Sequence, residues 1–193
     1  MKKTDIRNNK KAAAAGEKST RGEIYEWIQC LVFALIFCVV MFVFLFRLVD
    51  VVGDSMNPTL EDGDKMVVSD LFYKPKQGDI IIFRKDEYKS RALVKRVIAT
   101  EGQTVEIDFT KGRVYVDGEL LDEPYIAEPT KNQIDFTGTQ IVPEGCVFVM
   151  GDNRNESADS RDSRIGMIDE RLIIGKVLLT VYPLNHMGSP YGD

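Results

Sequence analysis

The 193-residue chain carries a net charge of −5, unevenly spread: seven cations against three acids give residues 1–23 a net +4, which leaves −9 for the rest. So acidic a body excludes a nucleic-acid surface, which needs a basic footprint. The three cysteines, Cys30, Cys38 and Cys146, show neither metal-ligand spacing nor a disulfide framework.

Residues 1–23 read as a flexible basic tail, with some helix toward Arg21. From Trp27 to Phe46 no residue is charged, and a run of about 20 apolar residues is the length of a membrane-spanning helix. A cleaved signal peptide has a shorter apolar region of about 7–15 residues and small residues at its cleavage site. Here Arg47-Leu48-Val49-Asp50 follows the run instead, so residues 24–47 are expected to be an uncleaved anchor. Cations precede the span and only Arg47 lies close behind it. The positive-inside rule then keeps the N-terminus in the cytoplasm and places residues 48–185 outside. That leaves about 150 residues, enough for one domain with at most a small subdomain.

Beyond Pro58 the chain reads as short strands and turns. Strands are expected at 65–69, 80–83, 92–100 and 104–108, the last from its alternation of apolar and polar residues. Arg113 to Leu120 is a hairpin signal, with Asp117-Gly118 suited to a tight primed turn. Residues 122–138 are irregular. Strands follow at 140–142 and 146–150, around Pro143-Glu144-Gly145, and a last long strand or strand pair at 171–181. Residues 186–193 read as a fraying tail. The expected fold class is mainly β, an antiparallel domain tethered to one N-terminal transmembrane helix.

Three stretches could carry chemistry. In Gly53-Asp54-Ser55-Met56-Asn57-Pro58 a bend can hold the Ser55 hydroxyl exposed, although a capping turn uses the same residues. A nucleophilic serine needs a base. His186, the only histidine, lies in the C-terminal tail, where catalytic groups are poorly held. A lysine serves instead when desolvation favours its neutral amine. Leu93-Val94-Lys95-Arg96-Val97-Ile98 offers one. Alternation leaves open which of Lys95 and Arg96 points inward, and both could reach solvent from an edge strand. Only lysine can act as the base, because guanidinium keeps its proton. The third stretch, Gly151-Asp152-Asn153-Arg154 through Arg164, is dense in Asp, Ser and Arg. Interleaved cations and wrong spacing argue against an EF-hand calcium loop, whereas Asp–Arg pairs could brace an active site.

These stretches, with Gly78-Asp79-Ile80-Ile81-Ile82-Phe83, resemble in order and spacing the four sequence boxes of bacterial type I signal peptidases. The likeness runs from the anchor to about Gly166. It implies a membrane-bound serine endopeptidase that removes signal peptides from exported preproteins after small residues, without metal or organic cofactor. Ser55 matches the family nucleophile, Lys95 its general base, and Ser157 the serine that orients the lysine. Asp152, Arg154, Asp159 and Arg161 match the supporting charges. The short interval between Lys95 and Gly151 implies a small accessory region, about 105–140, like that of Gram-positive members. Some members carry an oxyanion-hole serine two residues before the nucleophile; here that position is Gly53.

The implied partners are secretory preprotein signal peptides and membrane lipid. Ser55 lies nine positions beyond Phe46, so even an extended chain holds them within about 30 Å, and the nucleophile stays near the membrane. Shallow apolar pockets beside Ser55 and the Ile80–Phe83 strand would accept alanine at two positions. Leu71-Phe72-Tyr73 is either a loop that touches the interface or ordinary core packing. Two rival readings are a self-cleaving Ser/Lys repressor protease, which lacks an anchor and usually carries a DNA-binding region, and a non-catalytic membrane-anchored β module.

Overall fold

The computed structural model of the chain describes residues 2–85, 88 and 91–192, and within its long helix the side chains of 22–42 and 45. Two compact units divide after Phe44. The first holds helix α1 (Lys2–Leu45) up to Phe44. Its segment Gly22–Phe42, 21 residues of mean hydropathy 2.2 with no burial, is long and apolar enough to cross a membrane. At about 1.5 Å per residue it spans about 32 Å, close to the hydrocarbon thickness of about 30 Å. The basic stretch expected as a flexible tail is part of this helix from Lys2 onward. The helix also stops at Leu45, short of the expected anchor end.

Among its described residues the second unit has eleven strands: β1 (Arg47–Asp50), β2 (Lys65–Ser69), β3 (Ile80–Arg84), β4 (Ala92–Ala99), β5 (Thr104–Asp108), β6 (Arg113–Val116), β7 (Glu119–Leu120), β8 (Gln140–Ile141), β9 (Cys146–Met150), β10 (Ile168–Asp169) and β11 (Ile173–Tyr182). Every pairing is antiparallel, as the alternating patterns and turn signals implied. The seven-stranded sheet runs β1-β2-β11-β3-β4-β9-β10, and the four-stranded sheet β7-β6-β5-β8. Asp117 and Gly118 both take positive φ, 53° and 80°, the geometry of a type I′ hairpin turn. The short β1 and β10 carry no alternation long enough to read, and they exist because they pair with β2 and β9.

Strand β3 explains the layering. Ile80 and Ile82 enter a cluster with Met56, Leu60, Met66 and Val177, whereas Ile81 and Phe83 join Val97, Val149 and Ile165. A strand buried on both faces reads as a continuous apolar run, which is what Ile80-Ile81-Ile82-Phe83 is. The small sheet packs against Ile98, Phe148 and Met150 through Val105, Val114 and Phe136.

Candidate active site

Ser55 lies in the turn that follows Val51. Met56 and Leu60 are one helical turn apart, joined by Leu60 N–H to the Met56 carbonyl at 3.0 Å, and both are buried in the cluster below. Anchoring that face leaves Ser55 partly exposed above it. The turn is tied at every level. Val51 N–H donates to the Asp64 carbonyl at 2.8 Å, Gly53 N–H to Asp62 Oδ1 at 2.7 Å, and Asn153 N–H to the Ser55 carbonyl at 3.1 Å. Asn153 Nδ2 also donates to the Asp54 carbonyl at 3.1 Å. Among the described residues the Ser55 N–H meets no acceptor.

Lys95 on β4 brings Nζ to 2.6 Å from Ser55 Oγ, with a second bond from Nζ to the Val94 carbonyl at 2.8 Å. It is 2% exposed, and its neighbour Arg96 is 3% exposed, so neither basic residue of β4 reaches solvent. Arg96 is satisfied by Asp152, Nε to Oδ1 at 2.8 Å and Nη2 to Oδ2 at 2.6 Å, and by the Gly78 carbonyl at 2.9 Å. Its guanidinium stacks 3.9 Å from the Tyr125 ring centre. Burial opposes the charge of Arg96, but the hydrogen bonds and charge of Asp152 outweigh it and hold the group more firmly protonated than usual. Arg96 is the site-supporting residue that sequence reasoning left without a role. Its signal was the basic pair in an apolar strand together with an acid just past β9.

The loop after β9 is a lattice of main-chain and charged groups. Asp159 accepts from Gly151 N–H at 3.0 Å and pairs with Arg161 through two bonds of 2.8 Å. Arg161 reaches on to the carbonyls of Arg154, at 2.6 Å, and Asn132, at 2.8 Å. Arg154 donates to the Gly151 carbonyl at 3.1 Å and to Thr130 Oγ1 at 3.0 Å, and pairs with Glu123. Asn155 Oδ1 accepts from the N–H groups of Lys131 and Asn132. The irregular stretch 122–138 therefore braces this loop, a role its sequence did not suggest.

Gly151 allows the closest approach. A Cβ there would lie 2.3 Å from Ser157 Oγ and 2.4 Å from the Ser55 carbonyl. Ser157 Oγ is buried and has no hydrogen-bond partner among the described residues; the Val94 carbonyl, rather than Ser157, holds Lys95 here. Gly53 has φ of +92° and open space where a side chain would stand. Its own N–H is committed to Asp62, so it is not a spare oxyanion donor. A cleft of about 410 Å³ is lined by Gly53, Ser55 and Lys95, with Val52, Met56, Ile82, Leu93 and Val94 among its apolar walls.

His186 stands elsewhere in the bonding pattern. Its Nδ1 lies 3.0 Å from Asp64 Oδ2, and its Nε2 4.0 Å from Glu61. The C-terminal segment expected to fray is tied down: Thr180 and Gly188 exchange two main-chain bonds, and the Tyr191 hydroxyl reaches β3 and β11.

A family model described as signal peptidase, peptidase S26, matches residues 24–182. The chain is 35% identical to "Signal peptidase I" of Bacillus licheniformis, over 89% of this chain and 96% of that one. It is 40% identical to "Probable signal peptidase I-1" of Synechocystis sp., over 86% of each, and 34% identical to "Signal peptidase IB" of Staphylococcus aureus, over 84% and 92%. A crystal structure of a signal peptidase I from Enterococcus faecalis is 32% identical, covering 54% of this chain and 97% of that one, with a TM-score of 0.44. With its β domain and N-terminal apolar helix, the chain belongs to the signal peptidase I family of S26 peptidases and is a hydrolase of that family.

Proposed function

We propose that the protein is a membrane-anchored endopeptidase that cleaves N-terminal signal peptides from exported preproteins, with Ser55 as nucleophile and Lys95 as general base. The observation that carries this reading is the 2.6 Å approach of Lys95 Nζ to Ser55 Oγ, made by a lysine that is 2% exposed. A neutral amine donates to the Val94 carbonyl and keeps its lone pair for the serine proton. As Oγ attacks the scissile carbonyl, Lys95 takes that proton. The oxyanion that forms is met by the Ser55 N–H. Lys95 then returns the proton to the leaving amine, giving an acyl-enzyme, and activates the water that hydrolyses the ester. No step needs a metal or an organic cofactor.

Ser157 and the Asp152, Arg154, Asp159 and Arg161 lattice serve as positioning groups: they hold Gly151 and Asn153 against the Ser55 carbonyl. The resemblance gives Ser157 the role of orienting Lys95; in this structure its buried hydroxyl stands against Gly151 and makes no hydrogen bond among the described residues. The apolar part of the cleft, formed by Val52, Met56, Ile82, Leu93 and Val94, would take small side chains such as alanine at two substrate positions. The exposed apolar side chains of α1 from Ile24 to Phe42 support lipid as the anchor's surroundings, and the cations ahead of the span argue for a cytoplasmic N-terminus with residues 48–185 outside. The test is incubation of the detergent-solubilised protein with a preprotein, mapping the new N-terminus by mass. Cleavage after a small residue in wild type and none in Ser55→Ala supports the reading. A Ser55→Ala protein that keeps its function would favour the non-catalytic binding module.

A further inference from the structure

The last residues of the chain reach back into the large sheet. The β11–β3 ladder ends at Lys176↔Ile81, and β11 slips register against β2 between Val177 and Leu179. At that break the Tyr191 hydroxyl donates to the Val177 carbonyl at 2.6 Å and accepts from the Ile80 N–H at 3.2 Å. One side-chain oxygen thus bridges adjacent strands where the main-chain ladder has stopped. The Tyr191 ring packs on the cluster that also holds Met56 and Leu60. Lys176 Nζ stands 4.9 Å from the ring centre and pairs with Asp79 at 2.5 Å, the residue before Ile80.

What this seam holds is the strand that registers the base. Ile80 pairs with Arg96 and Ile81 with Lys95. Val97 N–H donates to the Asp79 carbonyl at 2.8 Å, and Arg96 to Gly78. A shift at the start of β3 is therefore passed to β4 at the two residues that meet Ser55 and Asp152. Buried main-chain groups without partners are costly, so loss of the hydroxyl leaves Ile80 N–H and Val177 C=O to be satisfied by movement or by water.

We propose that Tyr191 is a positioning residue for the Ser55–Lys95 pair, its hydroxyl closing the β3–β11 seam so that β4 presents Lys95 in register. The proposal rests on the Ser55/Lys95 reading of the site and adds the C-terminal segment to it.

The test compares the full-length, detergent-solubilised wild type with Tyr191→Phe and with Val142→Ala. Val142 is buried in the cluster of the small sheet and serves as a matched loss of stability away from the seam. Amide hydrogen exchange is read at Ile80, and kcat and KM are read on one preprotein at a temperature where all three proteins are folded. The expected result for Tyr191→Phe is exchange at Ile80 faster by about tenfold or more and kcat lower by about tenfold at unchanged KM, the scale of one hydrogen bond. Val142→Ala should leave kcat and KM unchanged and speed exchange at Ile80 no more than at the other core amides. Unchanged exchange at Ile80 in Tyr191→Phe overturns the seam. Faster exchange with unchanged kcat, or an equal loss of kcat in Val142→Ala, overturns the positioning role. If Ser55→Ala cleaves as wild type does, the catalytic reading fails, while exchange at Ile80 still judges the seam.

Discussion

Asp152→Ala removes the partner of a buried cation. Asp152 is 0% exposed and accepts two bonds from Arg96, so the variant leaves a guanidinium, itself 3% exposed, with its charge uncompensated. Breaking a buried ion pair in this way costs about 3–5 kcal/mol. The Gly78 carbonyl and the Tyr125 face remain in place and soften the loss, which puts the expectation at about 3 kcal/mol. A domain of this size loses about 2–4 °C per kcal/mol, so the unfolding midpoint should fall by about 6–12 °C. The assay is thermal unfolding followed by near-UV circular dichroism, run as a double-mutant cycle with Arg96→Met and Asp152→Leu. The double variant should recover part of the loss, because two apolar side chains leave no stranded charge. Activity should fall in Asp152→Ala as well, since Asn153, next in the chain, holds the Ser55 carbonyl. A loss below about 1 kcal/mol, or an Arg96→Met change no better tolerated beside Asp152→Leu than alone, would refute the reasoning.

Ser55→Ala and Lys95→Ala should each abolish cleavage in a folded protein without adding, and Lys95→Arg should be as inactive as Lys95→Ala, because guanidinium cannot take the proton; substantial turnover by Lys95→Arg in a preprotein assay removes Lys95 as the base. Gly53→Ser meets open space but a φ of +92°, so a thermal melt should show a cost of about 1–2 kcal/mol, with Gly53→Val worse because a β-branched side chain tolerates that backbone least. A Gly53→Ser protein as stable as wild type would show that this turn relaxes freely. Gly151→Ala should lower kcat steeply, since its methyl would press on both Ser157 Oγ and the Ser55 carbonyl; wild-type kcat would mean that the contact is not needed. His186→Ala should cost about 1–2 kcal/mol by loosening buried Asp64 while leaving kcat near wild type, whereas a thousandfold loss of kcat would make His186 the base.

Much of this molecule is legible from neighbours along the chain. The apolar run marks the helix that could span a membrane. Alternation and turn residues locate most of the strands. The Asp117-Gly118 pair foretells its hairpin, because both positions need the left-handed backbone that these residues tolerate. Resemblance places Ser55 and Lys95 as a pair, and the structure sets them 2.6 Å apart. The strands that went unread, β1 and β10, are two to four residues long, too short for a period to show.

Other matters depended on the order of strands in the sheet. Along β4, alternation left open which of Lys95 and Arg96 points inward. Both are buried, since partners 40 and 56 residues away in sequence meet them. Asp152 can reach Arg96 because β9 lies beside β4 with Met150 opposite Arg96, and nothing local to either strand encodes that neighbour. The brace from residues 122–138 and the return of Tyr191 to β3 are likewise contacts between distant stretches of chain. Periodicity records which face of an element is apolar. The partner of a buried charge, or of a broken ladder, is set by which elements fold side by side, and that is decided by tertiary packing.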